Sequence, residues 1–376
     1  MTASTGDPAI LLVGPGLRGG GAEGQFALMA RHFFAGRLPV ALLTGKPEDV
    51  VDGGRFHFLA WRSQWSYLRI IPYFYWLVLR NNYQVIFAFG LFPCLVAACA
   101  TLGRKGRVRL IVSEITRPRR ADEGAGFIRR RLYRCLRRFA YRRAAVLTAN
   151  SIDGVQEMCD IAGVDASKGR RRVANIVEWE RLQEAASQPG AYRSPGARYF
   201  ICASRLVPMK RIDTVLAAMA LLPLEENIHL VIVGDGPAHD ELNALAVRLG
   251  LPARTHFAGW LNNPLPLVKN AAALILASEY EGFSNSVLEA MFLDTPVITS
   301  LCSADAEEMC EQGAALGFSV GDERALAICM RRLLTEPETA VRLIDNARRY
   351  RQPLAMENSL PDYEKIILAV YEQARA

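Results

Sequence analysis

Short apolar runs of β type alternate with helical stretches along most of this chain, and that alternation limits the fold more than any other feature. In the first half the runs read "ILLVG", "VALLT", "VIFAFG", "LIVSE" and "AVLTAN", with helical stretches such as Ala22 to Phe34 and Pro93 to Leu102 between them. In the second half "YFICAS" precedes a helix from Arg211, and "HLVIVG" precedes one near His239 to Leu249. "ALILAS" precedes a helix from Ser286, and "PVITS" follows. Apolar strands joined by helices read as parallel sheets covered on both faces. Between the halves, "SQPGAYRSPGAR" (Ser187 to Arg198) is rich in Pro, Gly and Ser and lacks periodicity, so it reads as the end of an interdomain linker. A length of 376 residues suits two domains. The expectation is an α/β protein with two Rossmann-like domains facing across a cleft, at residues 1–180 and 181–355. A last helix, 356–376, packs back on the first domain. Ligands in such sheets bind beyond the carboxyl ends of the strands.

The formal net charge is +7, an excess that lies in arginine and favours anionic partners. The eight cysteines form no C-x-x-C pair, which argues against a disulfide framework or a zinc site and for buried thiols in a reducing cytoplasm. "MTASTGDPA" carries no secretory signal pattern. The longest apolar run, Ile70 to Leu79, falls short of the ~20 residues a membrane span needs.

"LLVGPGLRGGGAEGQ" contains Gly14-x-Gly16-x-x-Gly19 directly after a strand, the dinucleotide-binding pattern in its usual place. An NAD- or FAD-dependent oxidoreductase would need an acid at the end of the second strand to hold the ribose. That strand ends in Thr44, Gly45 and Lys46, and the first acid, Glu48, lies past the turn. The oxidoreductase reading also leaves the charged residues of the second half unexplained.

Those residues surround "ALILASEYEGFSNSVLEAMFLDTPVITS". A buried strand ends near Ser278, a loop carries Glu281, and a helix begins near Ser286 with Glu289 in its first turn. Two carboxylates stand at a helix N-terminus that favours anions. Two plainer readings compete. Ser286-x-x-Glu289 is a capping box, and Glu281 is an exposed loop acid. Arg205 and Lys210 flank another strand-to-helix loop, where cations are disfavoured unless an anion sits between them. Together they suit a diphosphate, whose growing charge they would stabilise.

The segment "EGFSNSVLEAM" followed by "TPVI" resembles the signature of the retaining GT-B glycosyltransferases of family four. "CASRLVPMKRIDTVLAAM", "LVIVGDGPAHDELNALAVRLGL" and "THFAGWLNNPLPLVKNAAALILAS" resemble the family's preceding segments, in family order, over Tyr199 to Ser300. "GGGAEGQFALMARHF" and "LIVSEITRPRR" resemble the family's Gly-Gly-Ala-Glu branch more loosely, with Ile115 and Thr116 where Arg and Asn are usual. The resemblance implies a GT-B fold and a catalytic set of Glu281, Arg205 and Lys210. It implies donor contacts from Glu289 to the ribose, from Gly282, Phe283, Ser284, Asn285, Ser286 and Val287 through main chain, from Gly259, Trp260 and Leu261 to the base, and from Gly234. Gly19, Gly20, Gly21, Glu23 and Glu114 would form the acceptor or phosphate side. His32 and His57 follow no cleft strand, so no general base emerges. That fits a front-face retaining mechanism in which the leaving phosphate takes the acceptor proton. No Asp-x-Asp metal motif is present and no cofactor is implied, the nucleotide-sugar being a substrate.

From Arg129 to Arg143 the chain holds eight arginines, with Leu132, Leu136 and Phe139 on one helix face. The segment reads as a docked cationic face, as an interfacial helix against an anionic membrane, or, least well, as a nucleic-acid contact. The aromatic-rich "WSYLRIIPYFYW" supports the second reading. The expected activity is sugar transfer from a UDP-sugar, or a GDP-sugar, to a lipid-linked saccharide in bacterial surface polysaccharide or glycolipid synthesis. The expected location is the cytoplasm, peripheral on the inner face of the cytoplasmic membrane. A non-catalytic nucleotide-sugar-binding subunit is the alternative.

Overall fold

The computed structural model of the chain describes residues 9–14, 21–35, 40–44, 55–58, 66–103, 108–114, 117–119, 126–165, 170–173, 175–190, 192, 195–223 and 227–375. The chain divides into two compact units, Met1–Ile176 with Glu357–Ala376, and Val177–Met356.

The first unit runs β1 (Ile10–Val13), α1 (Gly21–Ala35), β2 (Val40–Thr44), β3 (Arg55–Phe58), α2 (Ser66–Arg80), β4 (Val85–Phe89), α3 (Leu91–Ala100), β5 (Arg109–Glu114), α4 (Phe127–Arg143), β6 (Val146–Ala149), α5 (Ile152–Ala162) and β7 (Arg170–Arg172). Its strands pair in parallel in the order β3-β2-β1-β4-β5-β6-β7. Every residue of β1 and β4 is buried, as strands covered on both faces must be. Gly14 closes β1, and a Cβ there would meet the Phe26 ring of α1 at 2.2 Å. The first glycine of the dinucleotide-like motif thus allows close helix–strand packing; Gly16, Gly19 and Gly20 lie outside the described residues. The apolar run from Ile70 sits in α2, in spite of Pro72, and buries Phe74, Leu77 and Val78.

The second unit begins with α6 (Trp179–Ser187) and continues β8 (Tyr199–Ala203), α7 (Ile212–Ala220), β9 (His229–Val233), α8 (His239–Arg248), β10 (Thr255–Gly259), α9 (Leu265–Lys269), β11 (Ala273–Leu276), α10 (Asn285–Phe292), β12 (Val297–Ser300), α11 (Ala304–Glu311), β13 (Leu316–Phe318), α12 (Glu323–Thr335) and α13 (Pro337–Arg351). Its parallel sheet is ordered β10-β9-β8-β11-β12-β13. Order reverses between β8 and β11, which are neighbours in space and three strands apart in sequence. Such a switch point opens a crevice at the strands' carboxyl ends. The Pro/Gly-rich stretch from Ser187 lies inside this unit, because α6 ahead of it already packs there: Asn263 donates to the Ala185 carbonyl at 2.8 Å, and Trp179 meets Phe292 at 5.8 Å.

The last helix, α14 (Met356–Arg375), belongs to the first unit apart from its first residue. Its buried face carries Leu360, Tyr363, Ile367 and Val370, and the Tyr363 ring meets Phe87 of β4 edge-on at 6.0 Å. No helix among the described residues is long and apolar enough to cross a membrane.

Candidate active site

The loops after β8 and β11 meet at the switch point of the second sheet. After β8 the chain passes Ser204 and Arg205 into a 3-10 turn, Pro208–Lys210. After β11 it passes Ser278 to Ser284 into α10. The backbone N–H of Glu279 donates to the Met209 carbonyl at 2.8 Å, which ties the two loops together. Across this seam the Lys210 ammonium donates to Glu281 Oε1 in an ion pair, and both side chains are only 15% exposed. The fully buried Ser278 donates from its hydroxyl to the same oxygen at 2.7 Å. Ser300 of β12 donates to the Ser278 carbonyl at 2.7 Å and holds that residue in turn. Glu281 is therefore no loose loop acid. Three strand ends fix it.

Arg205 is exposed and has no acid paired with it among the described residues. It stands five residues before Lys210 in the same strand-to-helix loop, and its planar fork suits phosphate oxygens. Backbone conformation brings further loops close. Gly234, after β9, has φ +132°, and a Cβ there would fall 1.9 Å from the Ser204 carbonyl oxygen. Only glycine fits both that conformation and that approach. The next loop is held alongside, since the Gly234 N–H donates to the Gly259 carbonyl at 2.8 Å. Gly259 itself has φ +66°, and the following Trp260 is 70% exposed, with Leu261 half-buried behind it.

The α10 cap differs from the capping-box alternative. Ser284, not Ser286, caps the helix, and it does so without a side-chain bond to the backbone; its hydroxyl lies 3.0 Å from that of Ser286. Glu289 consequently stands two residues too far in to close the helix start. Its carboxylate is largely buried and accepts no bond from the described residues, and that burial pushes its pKa up to about 7. The first-turn N–H groups from Asn285 to Val287 have no intrahelical acceptors, as at any helix start. The Phe283 and Val287 side chains are buried, so these positions offer a ligand main chain rather than side chain, and Gly282 offers nothing else.

Sequence reasoning missed Ser278, Ser300 and Arg211. The signal for the serines was a polar residue closing an otherwise apolar strand. Arg211 has φ 48°, chelates Asp213 at 3.0 Å and reaches Glu279 at 3.6 Å, so it braces the loop behind Lys210. In the first unit, Glu114 ends β5 in the interior and accepts a bond from Tyr141 at 2.9 Å. Gly21 and Glu23 lie in the first turn of α1, and their side-chain surroundings are outside the description, as are Gly19, Gly20, Ile115 and Thr116. His32 rests against Phe33 in the last turn of α1, and His57 lies in β3.

Two parallel-sheet units of this order define a GT-B fold. A crystal structure of Anabaena Alr3699/HepE in complex with UDP superposes with a TM-score of 0.76 at 17% identity, covering 96% of this chain and 99% of that one. Residues 188–350, the stretch that holds the switch-point site, match the family described as Glycosyl transferases group 1. The lipopolysaccharide core biosynthesis glycosyltransferase LpsE of Rhizobium meliloti (strain 1021) is 28% identical over 141 residues, 38% of this chain and 41% of its own length. The lipopolysaccharide 1,6-galactosyltransferase of Salmonella typhimurium (strain LT2) is 30% identical over 164 residues, 43% of this chain and 44% of its own. The alignments thus span less than half of these curated relatives.

Proposed function

We propose that the protein is a retaining glycosyltransferase that moves a sugar from a nucleotide diphosphate donor, UDP-sugar first, to a lipid-linked saccharide of a bacterial surface polysaccharide. The observation that carries this reading is the Lys210–Glu281 pair at the β8/β11 switch point, with the exposed Arg205 in the same loop as Lys210. Arg205 and Lys210 take the diphosphate, and the α10 N-terminus adds its partial positive charge. Glu281, with one oxygen held by Lys210 and Ser278, keeps its second oxygen for sugar hydroxyls. Glu289 accepts from the ribose, and Trp260 lies where the base is bound. In the transfer, the bond from the anomeric carbon to the phosphate oxygen breaks. The acceptor hydroxyl bonds to the same carbon from the same face, and its proton passes to the leaving phosphate. Lys210 and Arg205 stabilise the charge that grows there, which removes the need for a metal ion. The relatives support the class: LpsE and the 1,6-galactosyltransferase are both lipopolysaccharide glycosyltransferases.

The test is transfer from a panel of UDP-, GDP- and ADP-sugars to a membrane extract holding lipid-linked saccharides, with and without EDTA. We expect turnover from one donor, a product with the donor's anomeric configuration, and full activity in chelator. Inversion, or complete loss in EDTA restored by magnesium, would overturn the mechanism. Donor binding without any turnover would favour a binding subunit.

A further inference from the structure

The turn that carries Lys210 is weakly anchored by packing. Leu206 and Ile212 are buried on either side of it, but none of the residues between them is. Pro208, Met209 and Lys210 contribute no buried side chain. An open cavity of about 260 Å³ adjoins the turn, lined by Val207 and Pro208 together with Leu242 and Leu245 of α8. Apolar cover is therefore missing on that side, and polar bonds are left to fix where the ammonium stands. Arg211 closes the turn in the left-handed region, at φ 48° and ψ 42°. That conformation is costly for a residue with a Cβ and free of that cost for glycine. Such an outlier persists only where its surroundings hold it. What arginine adds at this position is its side chain.

The Arg211 guanidinium reaches three strand-to-helix connections. Its Nε donates to Asp213 Oδ1 at 3.1 Å and its Nη2 to Oδ2 at 3.0 Å, a fork onto the first turn of α7. Its Nη1 lies 3.6 Å from Glu279 Oε1, in the loop after β11. A Cβ on Gly321, just after β13, would meet the same Nη1 at 3.4 Å, so the guanidinium also rests against that loop. Single ion pairs this exposed contribute little, but a forked pair within a network contributes more. Glu279 is also the residue whose N–H donates to the Met209 carbonyl at 2.8 Å. Its main chain thus holds the residue before Lys210, and its side chain holds the residue after.

We infer that Arg211 is a positioning residue for Lys210: its bonds to Asp213 and Glu279 offset the cost of the left-handed backbone and hold the ammonium in place for the donor phosphate. The inference rests on the proposed donor site and adds to it a residue that acts through Lys210 rather than on the donor. The test is a double-mutant cycle of Arg211→Gly with Lys210→Ala in the full-length protein, read by calorimetric titration with UDP. Hydrogen exchange across residues 207–210 is followed alongside. Glycine suits the left-handed backbone, so the melting temperature of Arg211→Gly should hold or rise. We expect its UDP affinity to fall about fivefold and exchange across the turn to quicken by a similar factor. Once Lys210 is alanine, Arg211→Gly should change UDP affinity less than twofold. Arg211→Asn also tolerates this backbone, separates the lost side chain from glycine's own flexibility, and should match Arg211→Gly. Arg211→Lys keeps the charge without the fork and should recover part of the loss. Unchanged UDP affinity in both Arg211→Gly and Arg211→Asn would overturn the inference. So would an equal loss from Arg211→Gly with and without Lys210, because the side chain would then act by another route. A natural protein that binds no nucleoside diphosphate would overturn the donor reading, and this inference with it.

Discussion

At the residue scale, Glu281 and Glu289 share a loop and a helix yet have opposite environments. Glu281 is compensated on one oxygen by an ammonium and a hydroxyl, whereas Glu289 is desolvated without compensation. The sign of the consequence for Glu289 follows from its raised pKa. Below about pH 4.5 the residue is protonated whether folded or unfolded and costs nothing. As pH rises towards 7 the unfolded chain releases the proton first, so folding stability falls, by at most about 3 kcal/mol. Glu289→Gln should therefore melt higher than the natural protein above pH 7, and the difference should vanish near pH 4. Thermal unfolding followed across that range checks it, and equal melting temperatures at pH 8 would contradict it. Ribose hydroxyls donating to the charged carboxylate would make UDP bind more tightly as pH rises through 7, and Glu289→Gln should remove that dependence. For the ion pair, Lys210→Ala should lower turnover by about 100-fold or more, the usual scale for losing one donor to a developing oxyanion. Glu281→Ala should do likewise. Both are read by initial rates, and transfer left intact by either would show the site assigned to the wrong residues. The pair's members were legible in the sequence as separate charges. Their contact was not, because it depends on β8 and β11 being neighbours, which spacing along the chain does not reveal.

At the element scale, the glycines divide by what the backbone requires. Gly234 combines φ +132° with a carbonyl oxygen 1.9 Å from any Cβ, so no neighbouring side chain can yield to make room. Gly234→Ala should cost about 3 kcal/mol or more and displace Ser204 and Arg205 with it. Chemical denaturation of the variant would measure the loss, and a midpoint shift below about 0.5 kcal/mol would refute the argument. The strands and most helices were legible from apolar runs because buried parallel strands leave a signature that turns cannot imitate. α2 was harder to see, since aromatic residues and Pro72 disguise its period. The start of α10 was misjudged by a residue, and with it the capping box: two serines precede Glu289, and only the structure shows that Ser284 is the cap. The Tyr141 bond to Glu114 was not legible either, because that tyrosine comes from a helix 27 residues on.

At the scale of the whole molecule, each unit has its own parallel sheet, and the chain returns to the first unit through α14. The proposed donor site lies in the second unit, at the reversal of its strand order. The fold class was legible because four segments stand in sequence at successive strand ends. The first unit's share was not, because its motifs are looser and part of them lies outside the described residues. The central claim is that the β8/β11 switch point binds a nucleoside diphosphate through Arg205 and Lys210. Calorimetric titration of the full-length protein with UDP, repeated for Arg205→Ala and Lys210→Ala, tests it most directly. The account predicts saturable one-site binding that falls at least tenfold in each variant, with melting temperatures showing both folded. Unchanged affinity in both variants, or binding of NAD but of no nucleoside diphosphate, would contradict it.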